Sequence, residues 1–322
     1  MENFFFALNA TVPVFLVILA GYFLQRVGLL NDGFNRTANQ YVFQCALPVS
    51  LFRSIAGMDF YSEFDPRFCL FCFAATTGMF LGVWGASALL LRDKSQVGAF
   101  AQASARSSAA ILGVAFAVSI YGDVGMVPMM IMASVPFFNL YSVLILSFSP
   151  QVGPEGAPLP AARGAGAVRA ACRNVLHNPL ILGILLGMPF ALLRLPIPAM
   201  VDGALQSLGS TATPLALLGI GASFSGQAAL TRWKGAALSS CIKLLVLPGL
   251  LLPLAAALGF RDSELLAILI MAGSPTTAAC FVMAKNMHAD SVLTSNAILL
   301  STLLSSVSIT LWICLLRSLH LL

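Results

Sequence analysis

Long uncharged runs are the feature that most constrains this chain. Between Phe68 and Leu91 there are 24 consecutive residues without a charged side chain, and about 20 apolar residues are enough to cross the roughly 30 Å hydrocarbon core of a bilayer. Of the 322 residues, 59% are hydrophobic and 9% are charged, against about 25% charged in soluble domains. The sequence therefore predicts an all-α polytopic membrane protein and excludes a water-soluble globule.

Runs of this kind recur ten times, and each predicts one transmembrane helix. The predicted spans are 8–26, 36–56, 67–91, 98–121, 124–148, 178–194, 203–226, 234–258, 263–286 and 290–316. They divide into a first five-helix repeat (1–148), a cytoplasmic linker with a short amphipathic segment (149–177) and a second five-helix repeat (178–322). For the segment from Val168 to Leu176, a position on the lipid surface and a simple extension of the sixth span both stay open.

The connecting loops alternate in charge, which gives a test of the span count that is independent of hydropathy. One set of loops carries ten basic residues and the other set carries five, and most of the acidic residues lie in the second set. Basic loops stay in the cytoplasm. The prediction is that both termini lie outside. The excess positive charge is scattered through short loops, so it predicts no nucleic-acid partner.

The two halves of the chain resemble each other at an offset of 166 residues. This offset pairs Pro13 with Pro179, Gly21 with Gly187, and Pro48 with Pro214. Because each repeat holds five spans, an odd number, the two copies must enter the membrane from opposite sides. Inverted repeats of this kind are typical of secondary carriers, which bind their substrate near the bilayer midplane on discontinuous helices.

The fourth and ninth spans are the least uniformly apolar and are equivalent in the repeat. In the ninth, Gly273 and Ser274 disfavour helix and Pro275 removes a backbone donor, so a break is predicted at 273–275. In the fourth, the matching residues 107–109 contain no proline, and the break there is inferred from symmetry. New helices would begin near Ala110 and Thr276, where free N–H groups and the helix dipole favour an anion.

Two basic residues lie at membrane depth, where a charge is costly and points to function. The acidic residues inside the predicted spans, Glu264 and Asp290, lie at the span ends, so none lies at membrane depth to neutralise Arg106. One interpretation is that Arg106 binds an anionic substrate, and the other is that it snorkels or braces carbonyls at the break. A fixed protein contact of its guanidinium would argue against the first. For Lys243 a structural role is the favoured interpretation.

Other polar and helix-bending residues are candidates for the wall of the site. Pro48 and Pro214 are predicted kinks at matching depths, and Gln44 precedes the first of them. Asn139 and Asn296 either line the cavity or hydrogen-bond between helices. The three histidines lie in loops or at the terminus and the cysteines lie mostly in apolar runs, so no catalytic residue, metal site or cofactor is predicted.

Several segments, taken in order, resemble the auxin efflux carrier family. They are TVPVFLVILAGYFLQRVGLL, YVFQCALPVSLF, TPLALLGIGASF and AACFVMAKNMHADSVLTSNAILLSTLLSSVSITL. This family includes bacterial organic-acid permeases and plant auxin exporters, and it lies in a wider group with bile-acid sodium symporters. The resemblance implies ten helices in a scaffold and a transport part, elevator-type alternating access, and a short prokaryotic form in the cell membrane.

The resemblance also implies a substrate site where the fourth and ninth spans cross. Carried over to this sequence, the crossover residues are Arg106, Ser107 and Ser108 facing Gly273, Ser274, Pro275 and Thr276. Relatives often have Asn or Pro where this chain has Ser107, Ser108 and Ala109, so a particular substrate is not transferred.

The sequence thus predicts a carrier of small organic anions, mono- or dicarboxylates of a malate-like, malonate-like or auxin-like kind. Arg106 would hold the anion together with the hydroxyls of Ser107, Ser108, Ser274, Thr276 and Thr277. A sodium-coupled symporter, a receptor or channel, and an intramembrane enzyme using Ser239 or Ser240 with Lys243 are the alternatives; a homodimer stays open. The expected partners are the anion and the lipid bilayer.

Overall fold

The described part of the chain is helical. The computed structural model describes residues 2–57, 65–109, 117, 125–150, 173, 176–223 and 226–322, and no strand occurs among them. The helices are α1 (Glu2–Arg26), α2 (Asp32–Tyr41), α3 (Leu47–Ala56), α4 (Pro66–Leu90), α5 (Val97–Ala105), α6 (Val127–Phe148), α7 (Pro179–Leu192), α8 (Ala199–Ser210), α9 (Ala212–Ala222), α10 (Gly226–Cys241), α11 (Leu247–Ala257), α12 (Asp262–Gly273), α13 (Ala279–Asn286) and α14 (Ser291–Ser318).

Four helical stretches in these ranges are long and apolar enough to cross a membrane. They are Pro66–Leu90, Val127–Phe148, Arg232–Ala257 and Ser291–Ser318. The all-helical, apolar character predicted from composition is confirmed, whereas the count of ten spans stays a prediction. The first predicted span lies in the undivided helix α1, while spans two, six, seven and nine correspond to shorter or divided helices. Most of the predicted linker, 149–177, lies outside the described residues.

Two π turns, each between two α-helices, lie shortly before a proline. The turn Val42–Ala46 joins α2 to α3, and the turn Ile242–Val246 joins α10 to α11. Pro48 and Pro248 follow as second residues of α3 and α11. A proline offers no backbone N–H and its ring clashes with the preceding turn, and a wider turn relieves both problems. The predicted kink at Pro48 thus coincides with a π turn.

The second predicted kink takes a different form. Helices α8 and α9 are separated at Thr211, three residues before Pro214. Leu215 still donates its backbone N–H to Thr211 O at 3.1 Å. The segment predicted as the seventh span is therefore two short helices, and Pro214 lies in the first turn of the second, where its missing N–H removes no helical bond.

Close glycine contacts join α1 to α9 and α3 to α7. A Cβ added to Gly187 would lie 2.8 Å from the carbonyl oxygen of Phe52, and one added to Gly21 would overlap the carbonyl oxygen of Leu218. The two contacts are related by the 166-residue offset, since Gly21 pairs with Gly187 and Phe52 pairs with Leu218. An inverted repeat would produce this relation, and the repeat itself stays a prediction.

The buried apolar residues form two large clusters. The first core contains side chains of α4, α5, α6, α11, α12 and α14, among them Phe100 and Leu269. The second core contains side chains of α1, α3, α7, α9 and α13, among them Ile18, Leu217 and Phe281, and a few side chains of α6 and α14. The ends of α5 and α12 belong to the first core, while α13, which follows α12 in the chain, packs in the second.

Candidate functional site

The helices α5 and α12 both end inside the molecule and meet at their ends. Helix α5 ends at Ala105 and α12 at Gly273, and the next residues, Arg106 and Ser274, are extended, with ψ of 131° and 156°. The backbone N–H of Ser108 donates to the carbonyl oxygen of Pro275 at 2.9 Å. The two interrupted segments therefore cross and are hydrogen-bonded to each other. We call residues 106–108 and 274–277 the crossover.

The breaks differ in detail from the predicted positions. In the fourth span the helix ends before Arg106, one residue earlier than the predicted break at 107–109. After the second break, α13 begins at Ala279 rather than near Thr276, because residues 275–277 are not helical. The helix start predicted near Ala110 lies outside the described residues.

Hydroxyl groups of each segment cap the helix end of the other. The hydroxyl of Thr276 donates to the carbonyl oxygen of Ala103 at 2.7 Å, and that of Ser107 donates to the carbonyl oxygen of Met271. The last carbonyls of a helix lack partners within the helix, and apolar surroundings make unpaired ones costly. These two hydroxyls therefore stabilise the breaks and are already engaged as donors.

Lys243 lies in the π turn before α11 and reaches both helix ends. Its side chain is 0% exposed. The Nζ atom donates to the carbonyl oxygens of Ala105 and Ala272, at 3.1 and 2.8 Å, and to the hydroxyl of Ser107. The favoured interpretation of Lys243 as structural agrees with these contacts, but its position at the centre of the crossover was not anticipated.

Arg106 is the second buried base at the crossover. It is 6% exposed. Its Nη2 donates to Asn139 Oδ1 at 2.6 Å and its Nη1 lies 2.9 Å from Met283 Sδ. Both partners are neutral. The ion pairs that the structure describes are Arg53–Asp202, Arg232–Asp93 and Arg232–Asp290. The guanidinium is thus in fixed protein contacts, which favours the bracing interpretation, but these contacts leave its charge uncompensated.

A cavity of about 190 Å³ lies against Arg106. Four elements besides the segment Arg106–Ala109 form its walls: α3, α6, α9 and the chain around Thr277. The polar lining residues are Ser50, Ser54, Arg106, Ser107, Ser108, Asn139, Thr213 and Thr277. The apolar lining comes from both cores, with Leu51 and Ala216 from the second and Phe138 from the first. The cavity therefore lies between the two cores.

The remaining predicted site residues lie elsewhere. Ser274, Pro275 and Thr276 are buried in the crossover and are not part of the cavity lining. The Ser274 hydroxyl has no hydrogen-bond partner among the described residues. Gln44 is exposed, in the π turn before Pro48, and does not line the cavity either.

Gly273 has a clear packing role. A Cβ added to this last residue of α12 would lie 2.8 Å from Pro248 Cγ, so the close approach of α12 to α11 requires a glycine. Gly273, which was predicted as a kink, is thus the last residue of α12 and also packs against Pro248.

Sequence reasoning missed three hydroxyl-bearing residues of the cavity wall: Ser50, Ser54 and Thr213. Ser50 and Ser54 are four residues apart after Pro48, a spacing that puts both on one helix face. That spacing is a usable signal, although it does not tell which face meets the cavity.

The family comparison agrees with this architecture. The model of a family described as "Membrane transport protein" matches residues 6–159 and 167–313, which is most of the chain. The chain belongs to this membrane transport protein family. The resemblance to auxin efflux carriers is thereby confirmed. Members of the family are transporters rather than enzymes, and a membrane location is supported.

Two archaeal transporters are similar over nearly the whole chain, and a plant protein is similar over part of it. An uncharacterized transporter of Methanothermobacter thermautotrophicus is 26% identical over 308 residues, which cover 94% of this chain and 96% of that protein. An uncharacterized transporter of Methanocaldococcus jannaschii is 21% identical over 95% of this chain and 97% of its own. A probable auxin efflux carrier component of Oryza sativa is 34% identical over 139 residues, 41% of this chain and 37% of the plant protein.

Proposed function

We propose that this transporter is a secondary carrier of small organic anions of the mono- or dicarboxylate class. The observation that carries the proposal is the buried Arg106 beside a cavity of about 190 Å³. A guanidinium with only neutral partners keeps its positive charge, and burial of such a charge is costly unless an anion compensates it. Arg106 also has a planar set of donors that matches a carboxylate.

The anion would be bound by the groups that line the cavity and are free to donate. Ser108 and Thr277 line the cavity from the two sides of the crossover, and Asn139 lines it beside Arg106. Because Ser107 and Thr276 donate to backbone carbonyls, we assign their hydroxyls to holding the crossover. Asn139 accepts from Arg106 and donates to the carbonyl oxygen of Val135 at 3.0 Å, which orients the guanidinium.

We further propose elevator-type alternating access. The two separate apolar cores support it, since the cavity lies at their boundary and receives residues from both. In this proposal the first core would carry the crossover across the membrane, and the contacts of α13 with the second core would be exchanged during the movement. The related glycine contacts of α1 with α9 and of α3 with α7 support the inverted repeats 1–148 and 178–322.

The proposed orientation places both termini outside in the cell membrane. The excess of basic residues in the predicted loops around Arg92, Arg173 and Arg232 supports it. Labelling of single cysteines introduced in these loops by a membrane-impermeant thiol reagent, in a variant whose own cysteines are replaced, tests it. Labelling of intact cells at the loop of Arg92 would contradict the orientation.

Transport measurements on reconstituted protein test the proposed function. Proteoliposomes with the unmodified chain are expected to take up a radiolabelled mono- or dicarboxylate in a saturable way, and Arg106→Ala is expected to abolish the uptake. Arg232→Gln, an arginine outside the cavity, is the control and should leave the uptake largely intact. Unchanged uptake by Arg106→Ala would remove Arg106 from the site.

A further inference from the structure

The ammonium group of Lys243 has a complete set of neutral acceptors. It has three N–H donors, and it has three acceptor oxygens: those of Ala105 and Ala272 and the hydroxyl of Ser107. The side chain is 0% exposed, and the ion pairs that the structure describes do not include it. This lysine is therefore a buried cation held by oxygen atoms alone.

The two carbonyl groups around this cation belong to the ends of two different half-helices. Ala105 is the last residue of α5 and Ala272 is the residue before the end of α12. Each helix end carries a partial negative charge, so the two ends would repel each other without a positive charge between them. In carriers with broken helices, half-helix C-termini and unwound carbonyls coordinate a monovalent cation in this situation.

We propose that Lys243 is a tethered cation that replaces a dissociable one. Its ammonium occupies the space between the ends of α5 and α12, satisfies their carbonyls, and makes the geometry of the crossover independent of sodium. Removal of the side chain is expected to create a site for a small monovalent cation, lined by the oxygens of Ala105, Ala272 and Ser107.

Lys243 also acts as a positioning residue for the anion cavity. Ser107 accepts a hydrogen bond from Lys243 and donates one to Met271, and its neighbours Arg106 and Ser108 line the cavity. The ammonium thereby fixes the extended segment that carries Arg106. This second part rests on the proposed function, whereas the cation site does not, since its test needs no substrate.

Thermal unfolding of Lys243→Ala in different salts tests the cation site. The protein is purified in ammonium chloride and exchanged into choline, sodium, potassium, ammonium or methylammonium chloride at equal ionic strength. A small cation is expected to raise the Tm of Lys243→Ala by about 3 °C or more over choline, as a ligand that binds only the folded form does. The unmodified protein should have the same Tm in all five salts.

Lys285→Ala is the matched control. The Lys285 ammonium lies 3.1 Å from a single hydroxyl, that of Ser223, near the end of α13. Its removal leaves no group of converging carbonyls, so the Tm of this variant should not depend on the cation. Lys243→Met fills the space without a charge, and its Tm should be lowered in every salt alike.

Several results of these measurements would overturn the proposed cation site. Equal Tm values of Lys243→Ala in choline and in all the small cations would overturn the cation site, as would failure of Lys243→Ala to fold even in ammonium chloride. Full stability of Lys243→Met would show that no charge is needed. For the unmodified protein, anion uptake in sodium-free medium should equal that in sodium, and a dependence on sodium would contradict the tethered cation even where the anion site itself is correct.

Discussion

Positive side chains have two different kinds of partner in this molecule. In one cluster, which we call the loop cluster, Arg232 of α10 is 2.8 Å from a carboxylate oxygen of Asp290 and 3.0 Å from one of Asp93, and both acids lie in loops. At the crossover, Lys243 and Arg106 contact carbonyl, hydroxyl, amide and thioether groups. The loop cluster is therefore neutralised by acids, while the crossover keeps its positive charge.

The difference indicates where the molecule is built to hold a net charge. Partly exposed ion pairs contribute little to stability because water and salt screen them. Buried cations with neutral partners are costly to retain, so their presence in a membrane transporter points to a functional site. The crossover is thus the region with an electrostatic reason to attract an anion, and the loop cluster is not.

Removal of the Lys243 charge should have the largest effect on stability. Lys243→Met leaves three buried acceptors without their donor, and an unpaired buried group costs about 1–3 kcal/mol. We expect a loss of about 3 kcal/mol or more in the free energy of unfolding, because three such groups lose their donor and two helix ends lose the positive charge between them. Denaturant unfolding in detergent measures it. A loss no larger than that of Lys285→Met would contradict the role of Lys243 in the crossover.

Arg106→Gln should separate binding from stability. The variant removes a charge that costs free energy to bury, so the protein should unfold at the same or a higher temperature. Anion affinity should fall by about tenfold to a hundredfold, because a hydrogen bond to a charged group contributes about 1.5–3 kcal/mol. Equilibrium binding of a labelled carboxylate measures the affinity, and Arg232→Gln should bind like the unmodified protein. A large loss of stability in Arg106→Gln with unchanged affinity would assign Arg106 to bracing alone.

Glycine substitutions extend the comparison from charge to packing. Gly273→Ala puts a methyl group 2.8 Å from Pro248 Cγ, and overpacking of this kind costs about 1–3 kcal/mol. Gly78→Ala in α4 is the control, because no described atom outside its own helix backbone lies within 4 Å of its added Cβ. Thermal unfolding of the two variants should show a loss for Gly273→Ala alone, and equal losses would argue against a tight crossover.

Loss of the Asp93 charge in the loop cluster should have the smallest effect on the free energy of unfolding. Desolvation raises the pKa of Asp93, but hydrogen bonds from Ser95 and Gln96 and the contact with Arg232 outweigh it and lower the pKa to about 2. Since this pKa lies below the unfolded value of about 3.9, the carboxylate stabilises the fold above pH 4, and the contribution is lost as the pH falls toward 2.

The Asp93→Asn variant tests this assignment. It should lower the free energy of unfolding by less than about 1 kcal/mol, and the difference from the unmodified protein should vanish between pH 4 and pH 2. Unfolding curves recorded across that pH range measure it. A difference that persists at pH 2 would mean that Asp93 acts through something other than its charge.

Much of the site could be predicted because strong local signals mark it. Gly273, Ser274 and Pro275 disfavour helix, and α12 ends at Gly273 as expected. In the fourth span no proline marks the break, and the helix ends one residue earlier than symmetry suggested. Arg106 and Asn139 were both identified as candidates, because polar groups at membrane depth need an explanation.

What could not be predicted depends on contacts between distant parts of the chain. Lys243 is 136 residues from Ser107, and no sequence rule pairs a lysine with the ends of two helices. Helical periodicity identifies which residues share a face, but not which face meets the cavity. Gln44 was expected at the site for its polarity and is exposed, while Ser50 and Ser54, further along the same segment, line the cavity.

Ligand-dependent stability of the purified protein tests the central claim most directly. The Tm of the unmodified chain and of Arg106→Gln is measured against a series of mono- and dicarboxylates, with choline chloride as the reference salt. The account predicts that at least one carboxylate raises the Tm of the unmodified chain and leaves that of Arg106→Gln unchanged. An equal rise in both proteins would contradict an anion site at the crossover.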